Sequence, residues 1–374
     1  MKSRLPGIST TAFLLFGLFL LLMLLTNAQA AMDGIRQGLS LCTETLFPSL
    51  FPFLVLSELL VARRAGEVLG KVFSRPVSAL FGLSGNGATA LLLGMLCGYP
   101  VGTTTAVALY RQGEISKEEL KRLFLFANNP SSGFLIGAVG EALFGNRGAG
   151  LALWLIAWIS ASLIGIFLHI VYGKAAEIAK TPTDGMQKPP SVSDLTGSVT
   201  RGFYSLLQVF AFVLFFTCVA SCLTPILKTF HLPVGLSVGL YGLLEITSGI
   251  SHAVTMLTPE LAFRFSAAFA GFAGLSVCLQ LFSIAEDQHL RLSPYLLAKA
   301  VQGGICLLLA ELYLRLFHPR FETAESVATF AENTIQQRYT LWILLLLPLF
   351  VLILTFFQKK CLPLFKKDTK RLSR

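Results

Sequence analysis

Charged side chains are scarce in this sequence. Asp, Glu, Lys and Arg make up 13% of the 374 residues, whereas hydrophobic residues make up 54%. A soluble domain carries roughly a quarter charged residues and cannot bury so much apolar surface in its core. Because lipid solvates apolar side chains directly, this balance favours a membrane protein over an ordinary soluble domain.

Motifs of metal-dependent and nucleotide-binding enzymes are also missing. The sequence has no His-Glu-x-x-His and no Gly-Lys-Ser/Thr phosphate loop. Its five histidines are isolated, and Cys218 and Cys222 have no His or second cysteine pair near them in sequence. We predict no enzyme activity, no metal site and no cofactor. An intramembrane enzyme is the alternative, and it would need a nucleophile such as Ser251 beside an imidazole.

The basic residues flank apolar runs and do not form a groove-lining surface. Lys2 and Arg4 precede the first run, and seven Lys and Arg residues at positions 359–374 follow the last one. Cations next to a membrane segment favour the cytoplasmic side, so both chain termini are predicted to be cytoplasmic. The net charge of +10 therefore reflects membrane orientation, and no nucleic-acid binding is predicted.

Ten apolar stretches predict an all-α polytopic fold, because most approach the roughly 20 residues that cross a hydrocarbon core. They are Thr11–Ala30, Ser40–Val61, Ala88–Tyr110, Leu123–Phe144, Ala149–Tyr172, Phe203–Leu227, Val234–Leu257, Leu261–Ile284, Pro294–Phe317 and Leu341–Phe357. The first stretch also resembles a signal peptide with an Ala-x-Ala site at its end, but its apolar run is long for one. A retained helix is preferred.

A polar linker rich in Lys, Pro, Ser and Thr divides the chain into two membrane halves. The predicted units are residues 1-31 (first helix or signal-like segment), 32-172 (first half), 173-202 (linker), 203-317 (second half), 318-338 (polar loop) and 339-374 (last helix and basic tail). Whether each stretch crosses fully or enters and returns is left open.

The first half contains an interruption where glycine and proline fall inside an apolar run. The residues concerned are Gly98, Tyr99, Pro100, Gly102, Thr103 and Thr104. Proline removes a backbone donor and obstructs the carbonyl four residues earlier. In hydrocarbon the freed polar groups must find partners, so such a break persists only inside protein or beside water.

A second interruption combines amides, hydroxyls, proline and glycine. Its residues are Asn128, Asn129, Pro130, Ser131, Ser132 and Gly133. Broken helices whose N-terminal ends point at an anionic solute recur in transporters, so we expect these side chains to donate hydrogen bonds to solute oxygens. The alternative is an aqueous loop, because Asn-Pro is a turn signal.

Matching interruptions occur in the second half. One contains Glu245, Thr247, Ser248 and Gly249, and the other is centred on Gly274. Paired interruptions in two halves indicate a transporter built from repeats. A carboxylate at this depth is costly and is usually functional or paired. Glu245 is therefore predicted to bind a coupling proton or cation or to orient the solute, or else to bond to the backbone of its own break.

At these interruptions the sequence resembles the sporulation integral membrane protein YlbJ family, also called stage V sporulation protein V. This family belongs to the nucleoside-recognition, or gate, domain membrane proteins. The matching segments are Phe47–Phe53 with Ser57-Glu58, Gly98–Gly102, Asn128-Asn129, Gly137–Gly140, Leu244–Gly249 and Gly274–Val277, within a region from Met32 to Phe317.

The resemblance implies a membrane protein of an endospore former that passes dipicolinate, an aromatic dicarboxylate, across the outer forespore membrane. The family often has a lysine where this chain has Thr104, so the resemblance does not supply a cation there. The expected partners are a small solute and the lipid bilayer, with oligomeric state open. A nucleoside-type solute and a scaffold in spore assembly that transports nothing are the alternatives.

Overall fold

The computed structural model describes residues 10–62, 65–175, 192–229, 232–317 and 319, and every regular element in these ranges is helical. The all-α fold is confirmed. The elements are α1 (Thr10–Thr26), α2 (Ala28–Ser40), the π-helix π1 (Leu41–Leu46), α3 (Phe47–Ala62), α4 (Ala65–Phe81), α5 (Gly85–Cys97), α6 (Val101–Arg111), α7 (Lys117–Phe126), the π-helix π2 (Gly133–Leu143), α8 (Arg147–Tyr172), α9 (Val192–Thr229), α10 (Val234–Leu244), α11 (Ile246–Met256), α12 (Pro259–Phe272), α13 (Gly274–Ile284), a 3₁₀ turn (Glu286–Gln288) and α14 (Leu292–Phe317).

Several predicted features lie outside the described residues. These are the basic N-terminal flank, the polar loop 318-338 apart from Pro319, the last predicted helix Leu341–Phe357 and the basic tail. The predicted cytoplasmic placement of the termini rests on these segments and stays a prediction.

Within the described ranges, five helical segments are long and apolar enough to cross a membrane. They are Ala28–Leu60, Arg147–Tyr172, Leu195–Pro225, Pro259–Ile284 and Leu292–Phe317. A sixth would be the pair Val72–Phe81 and Gly85–Cys97, which is bent by 87° at its break. The remaining apolar helices are too short to span alone, because a helix rises only 1.5 Å per residue.

Apart from α4, which has no counterpart in the second half, the same order of elements occurs twice along the described chain. A long helical segment is followed by two interrupted pairs and then by a single helix of 26 residues. In the first half the pairs are α5 with α6 and α7 with π2; in the second they are α10 with α11 and α12 with α13. The halves pack together where α3 contacts α9, α8 contacts α14 and α6 contacts α13.

Three helix boundaries differ from the predicted stretches. The helix predicted from Ser40 begins at Ala28, since Gly34 and Gly38 let the polar segment pack closely on α9. Amphipathic α4 was not predicted, because its charges interrupt the apolar pattern; it packs on α5. Helix α9 begins at Val192, inside the predicted linker 173-202.

One glycine in each half allows its two interruptions to touch. Gly98 has a φ of +83°, and a Cβ there would lie 2.4 Å from the amide nitrogen of Ser131. Gly274 has a φ of +77°, and a Cβ there would lie 3.1 Å from the amide nitrogen of Ile246. Glycine adopts positive φ readily and has no side chain to clash. The two breaks of each half are therefore joined into one unit.

Candidate functional site

The interruptions of both halves meet at a small buried cavity with a volume of about 20 Å³. Its polar lining residues are Tyr99, Ser131, Glu245, Thr247, Ser276 and Gln280. The rest of the wall is apolar and includes Leu46, Phe134 and Val213. A cavity of this size holds about one water molecule. This conformation, called closed below, leaves no room there for an organic solute.

Four helices begin at this cavity, and each is 11 residues long. Tyr99 immediately precedes the cap of α6, and Ser131 immediately precedes the cap of π2. Thr247 lies in the first turn of α11, and Ser276 lies in the first turn of α13. The N-terminal end of a helix carries a partial positive charge and free N–H groups. Four such ends around one space favour negative charge there.

The Glu245 carboxylate occupies one of these helix ends. It is 1% exposed and accepts hydrogen bonds from the backbone N–H groups of Thr247 at 3.0 Å and Ser248 at 2.6 Å. This is a side-chain cap on α11, because residue 245 is extended and its oxygens satisfy the freed donors. Of the roles predicted for Glu245, bonding to its own break is the one observed here. Its position in the cavity wall also leaves it within reach of a bound solute.

Two polar groups on the cavity wall have no partner among the described residues. They are the hydroxyl oxygen of Tyr99 and the amide nitrogen Nε2 of Gln280, whose side chain is 1% exposed. Buried polar groups are almost always hydrogen-bonded, so two unsatisfied ones beside the same space need an explanation. A hydroxyl and an amide N–H₂ can both donate to a solute oxygen.

Asn128 and Asn129 do not line the cavity. Both are fully buried, and their Nδ2 groups donate to the carbonyls of Phe124 at 3.1 Å and Phe126 at 2.9 Å, at the end of α7. Oδ1 of Asn128 accepts from Thr103 at 2.8 Å. The amides predicted to face a solute thus satisfy carbonyls that the helix break leaves free.

A buried lysine, which no sequence motif singled out, completes a polar cluster around Asn128 and Asn129. Lys299 of α14 is 0% exposed, and its ammonium nitrogen donates to the backbone carbonyl of Asn128 and, at 2.8 Å, to Oε1 of Gln302. Gln302 in turn donates to Oδ1 of Asn129 at 2.6 Å. The position of Lys299 inside the predicted apolar stretch Pro294–Phe317 could have identified it, because cations within membrane segments are rare and usually functional.

The remaining predicted residues support the breaks and do not line the cavity. Ser132 donates to the carbonyl of Leu96 at 3.3 Å, and Thr104 to that of Val101 at 3.0 Å. The hydroxyl of Ser248 lies 3.3 Å from that of Thr217.

The predicted glycine and proline positions allow close backbone contacts. A Cβ atom at Gly102 would lie 2.6 Å from the Ala127 carbonyl oxygen, and one at Gly133 would lie 3.0 Å from the Ser49 carbonyl oxygen. A Cβ atom at Gly249 would lie 2.2 Å from Gly242 Cα. Pro100 follows a cis peptide bond, and Pro130 lies in the non-helical segment before π2.

No group of three or more His, Cys, Asp or Glu residues that could hold a metal ion occurs among the residues that the structure describes. A Gly-x-Ser-x-Gly pattern at Gly235–Gly239 lies inside α10. It therefore lacks the strand-to-helix turn that exposes a nucleophilic serine in hydrolases.

Comparison with known proteins yields one informative relative. The chain is 28% identical over 336 residues to the sporulation integral membrane protein YlbJ of Bacillus subtilis (strain 168). The aligned region covers 80% of this chain and 81% of that protein. No family model matches the chain, and no solved structure matches it. The match supports an integral membrane protein with a role in sporulation.

Proposed function

Because the chain belongs to the YlbJ family of sporulation integral membrane proteins, we propose that it moves a small anionic solute, dipicolinate, across a membrane during endospore formation. The observation that carries this proposal is the convergence of four helix N-termini on one buried cavity that contains two unpartnered donors. We place the protein in the outer forespore membrane, with both termini cytoplasmic.

The electrostatics of the cavity support an anionic solute. Helices α6 and α13 have no side-chain cap at their N-termini, whereas Glu245 caps α11. The first N–H of α6, that of Val101, donates to the Gly98 carbonyl at 2.9 Å, so no side-chain anion neutralises this helix end. A carboxylate of the solute would be stabilised by these helix ends and by hydrogen bonds from Tyr99 and Gln280.

The closed cavity has a consequence for the transport cycle. Dipicolinate contains a six-membered ring with two carboxylates and exceeds the space of about 20 Å³. The helices around the cavity must separate before the solute enters. Broken helices suit this movement, since a few residues at each break can absorb the change in backbone angles.

The central test is uptake of labelled dipicolinate into proteoliposomes that contain the full chain. We expect saturable uptake, which an unlabelled nucleoside does not inhibit. Competition by the nucleoside would favour a nucleoside-type solute. Absence of uptake by folded, correctly inserted protein would favour a scaffold in spore assembly and reject transport.

Two substitutions test the cavity without disturbing its shape. Tyr99→Phe and Gln280→Met remove the unpartnered donors, so we expect the KM for dipicolinate to rise about tenfold, equivalent to one lost hydrogen bond of about 1.4 kcal/mol. Stability should not fall in Tyr99→Phe, because the hydroxyl lost has no partner among the described residues in the closed state, and the same holds for the Nε2 group lost in Gln280→Met.

Thr105 of α6, the helix that follows the first break, provides a matched control for the loss of a buried donor. Thr105→Val also removes a buried hydroxyl without a partner, but Thr105 does not line the cavity. Its KM should stay at the wild-type value. Equal KM values for Tyr99→Phe, Gln280→Met and Thr105→Val would show that the cavity is not the solute site.

A further inference from the structure

Lys299 is buried, and among the described residues it has no counter-charge. It lies on α14, a helix of membrane-crossing length, and none of its surface is exposed. Within the described ranges no carboxylate lies within ion-pairing distance of its amine. Charged side chains within membrane segments normally pair or face water. The absence of a counter-ion among the described residues therefore favours a neutral amine in this conformation.

The hydrogen bonds of Lys299 match a neutral amine. Its nitrogen has two acceptors, which are the backbone carbonyl oxygen of Asn128 and Oε1 of Gln302. An ammonium group has three N–H donors, whereas a neutral amine has two. In the closed conformation both donors of a neutral amine are satisfied, while an ammonium would keep one N–H and a full charge uncompensated.

The groups around Lys299 leave the amine to titrate by itself. The thiols of Cys278 and Cys306 lie close enough to interact with the amine if they ionise, but a neutral thiol supplies no counter-charge. Helices α7, α8 and α12 pack against α14. Most charged residues of these elements are paired: Arg122 of α7 with Glu118, and Arg264 of α12 and Arg315 with Glu311 of α14. In α7, Lys117 donates to the Gln288 carbonyl, the buried carboxylate of Glu119 accepts from the Ser84 N–H, and Lys121 is half-buried. Glu260 lies in the first turn of α12, and Arg147 and His169 lie in the first and last turns of α8.

We propose that Lys299 couples solute movement to a proton: its amine is neutral in the closed, empty protein and takes up one proton when the break at Asn128 opens to water. The inference deepens the proposed function and rests on it. Opening withdraws the Asn128 carbonyl from the amine and lets water reach the nitrogen lone pair, which accepts the proton. A carboxylate of the solute then supplies the missing negative charge.

This arrangement would make an empty transporter close without a proton and a loaded one close with a proton and a solute anion together. Closing with a protonated lysine and no anion would bury an isolated charge, which is the costly state. The solute and the proton would therefore cross in the same direction, and the proton would return to water on the far side.

The test measures binding of labelled dipicolinate to the full purified chain as a function of pH. With one coupled proton, the Kd of wild type should rise about tenfold per pH unit at alkaline pH, and binding should take up about one proton per solute. In Lys299→Met both effects should disappear. Lys299→Arg, which stays charged, should bind with a Kd independent of pH but fail to accumulate solute in proteoliposomes.

The matched control is Lys174→Gln, which removes an exposed lysine after α8 and should keep the wild-type pH dependence. A pH-independent Kd in wild type, without proton uptake, would overturn the coupling role even if Lys299→Met fails to fold. Wild-type pH dependence retained in Lys299→Met would also overturn it. In both cases transport itself would stand. Absence of dipicolinate binding by wild type would instead reject the proposed function, and the coupling role with it.

Discussion

The two halves of the molecule have the same order of interrupted helices but stabilise their interruptions by different chemistry. In the second half, Glu245 caps the helix that starts at its own break, through N–H groups two and three residues further on. In the first half, neutral amides satisfy the end of α7, and Lys299 arrives from the other half. In a low-dielectric environment the backbone N–H and C=O groups freed at a break must be hydrogen-bonded. The two halves show that different residue types can supply these bonds.

The comparison also shows which break depends on distant parts of the chain. The first half relies on Trp158 of α8, which donates to the Met95 carbonyl at 2.8 Å, and on Lys299 of α14. The Glu245 break is satisfied by its immediate neighbours. Movement at Asn128 must therefore disturb the second half, whereas the Glu245 cap can move as a unit with α11.

The largest difference between the halves should appear at their two contact glycines. Gly98→Ala places a Cβ 2.4 Å from a backbone nitrogen at positive φ, so we expect a loss of about 3 kcal/mol or more in the free energy of unfolding. Gly274→Ala meets its nearest atom at 3.1 Å and should cost about 1 kcal/mol, mainly from backbone strain. Unfolding by SDS in mixed micelles measures both, and equal losses would contradict the asymmetry.

The next largest effect concerns the amide network of the first half. Asn128→Ala leaves the Thr103 hydroxyl and the Phe124 carbonyl without their partner, which should destabilise the protein by about 2 kcal/mol. Adding Thr103→Val removes one of the orphaned groups and should restore about 1 kcal/mol. Strict additivity of the two substitutions in a double-mutant cycle would show that the side chains are not coupled.

A smaller loss is expected at the cap of the second half. Glu245→Ala should destabilise by about 1 kcal/mol, as for other helix N-caps. Ser116→Ala is the matched control, because Ser116 caps α7 through the Glu119 N–H at 3.2 Å and does not line the cavity. Both variants should lose similar stability, but only Glu245→Ala should change the KM for dipicolinate. A normal KM in Glu245→Ala would limit this residue to capping.

The smallest effect should come from the exposed contact between the halves. Arg111, the last residue of α6, donates to Asp287 at 2.7 Å. Partial burial opposes ionisation of Asp287, but hydrogen bonds from Arg111 and Gln288 hold its pKa below the usual value. The stabilisation is therefore complete above about pH 4 and is lost as the pH falls through this lowered pKa.

For an exposed pair of this kind we expect less than about 1 kcal/mol. Arg111→Gln should remove this part of the pH dependence of unfolding and leave KM unchanged. A change in KM would show that the contact takes part in the transport cycle.

Much of the fold could be predicted because apolar composition and breaker residues act locally. Pro100 lies between Gly98 and Gly102, and the helix does end at Cys97 and restart at Val101. Pro52, Pro76 and Pro225 lie inside continuous helices, so the combination with glycine marks the break better than proline alone. Helix α4 was not predicted, because its charges interrupt the apolar pattern on which the prediction relied. Its apolar face is explained by packing on α5.

The site was less predictable, since side-chain direction depends on residues far away in sequence. Asn128 and Asn129 carry donors suited to a solute, but the free carbonyls at the end of α7 are closer partners. Gln280 and the Tyr99 hydroxyl became candidates only when their lack of partners beside one cavity was known.

The sequence alone determined that this chain is helical, belongs in a membrane and is interrupted near residues 98–100, 128–133, 245 and 274, because hydropathy, proline and glycine act through the local backbone. Only the tertiary structure decided that four helix ends meet, that Glu245 caps its own helix and that Lys299 lies against Asn128. Lys299 and Asn128 are 171 positions apart in the sequence. Helix packing brings them together, and no local sequence pattern encodes that packing.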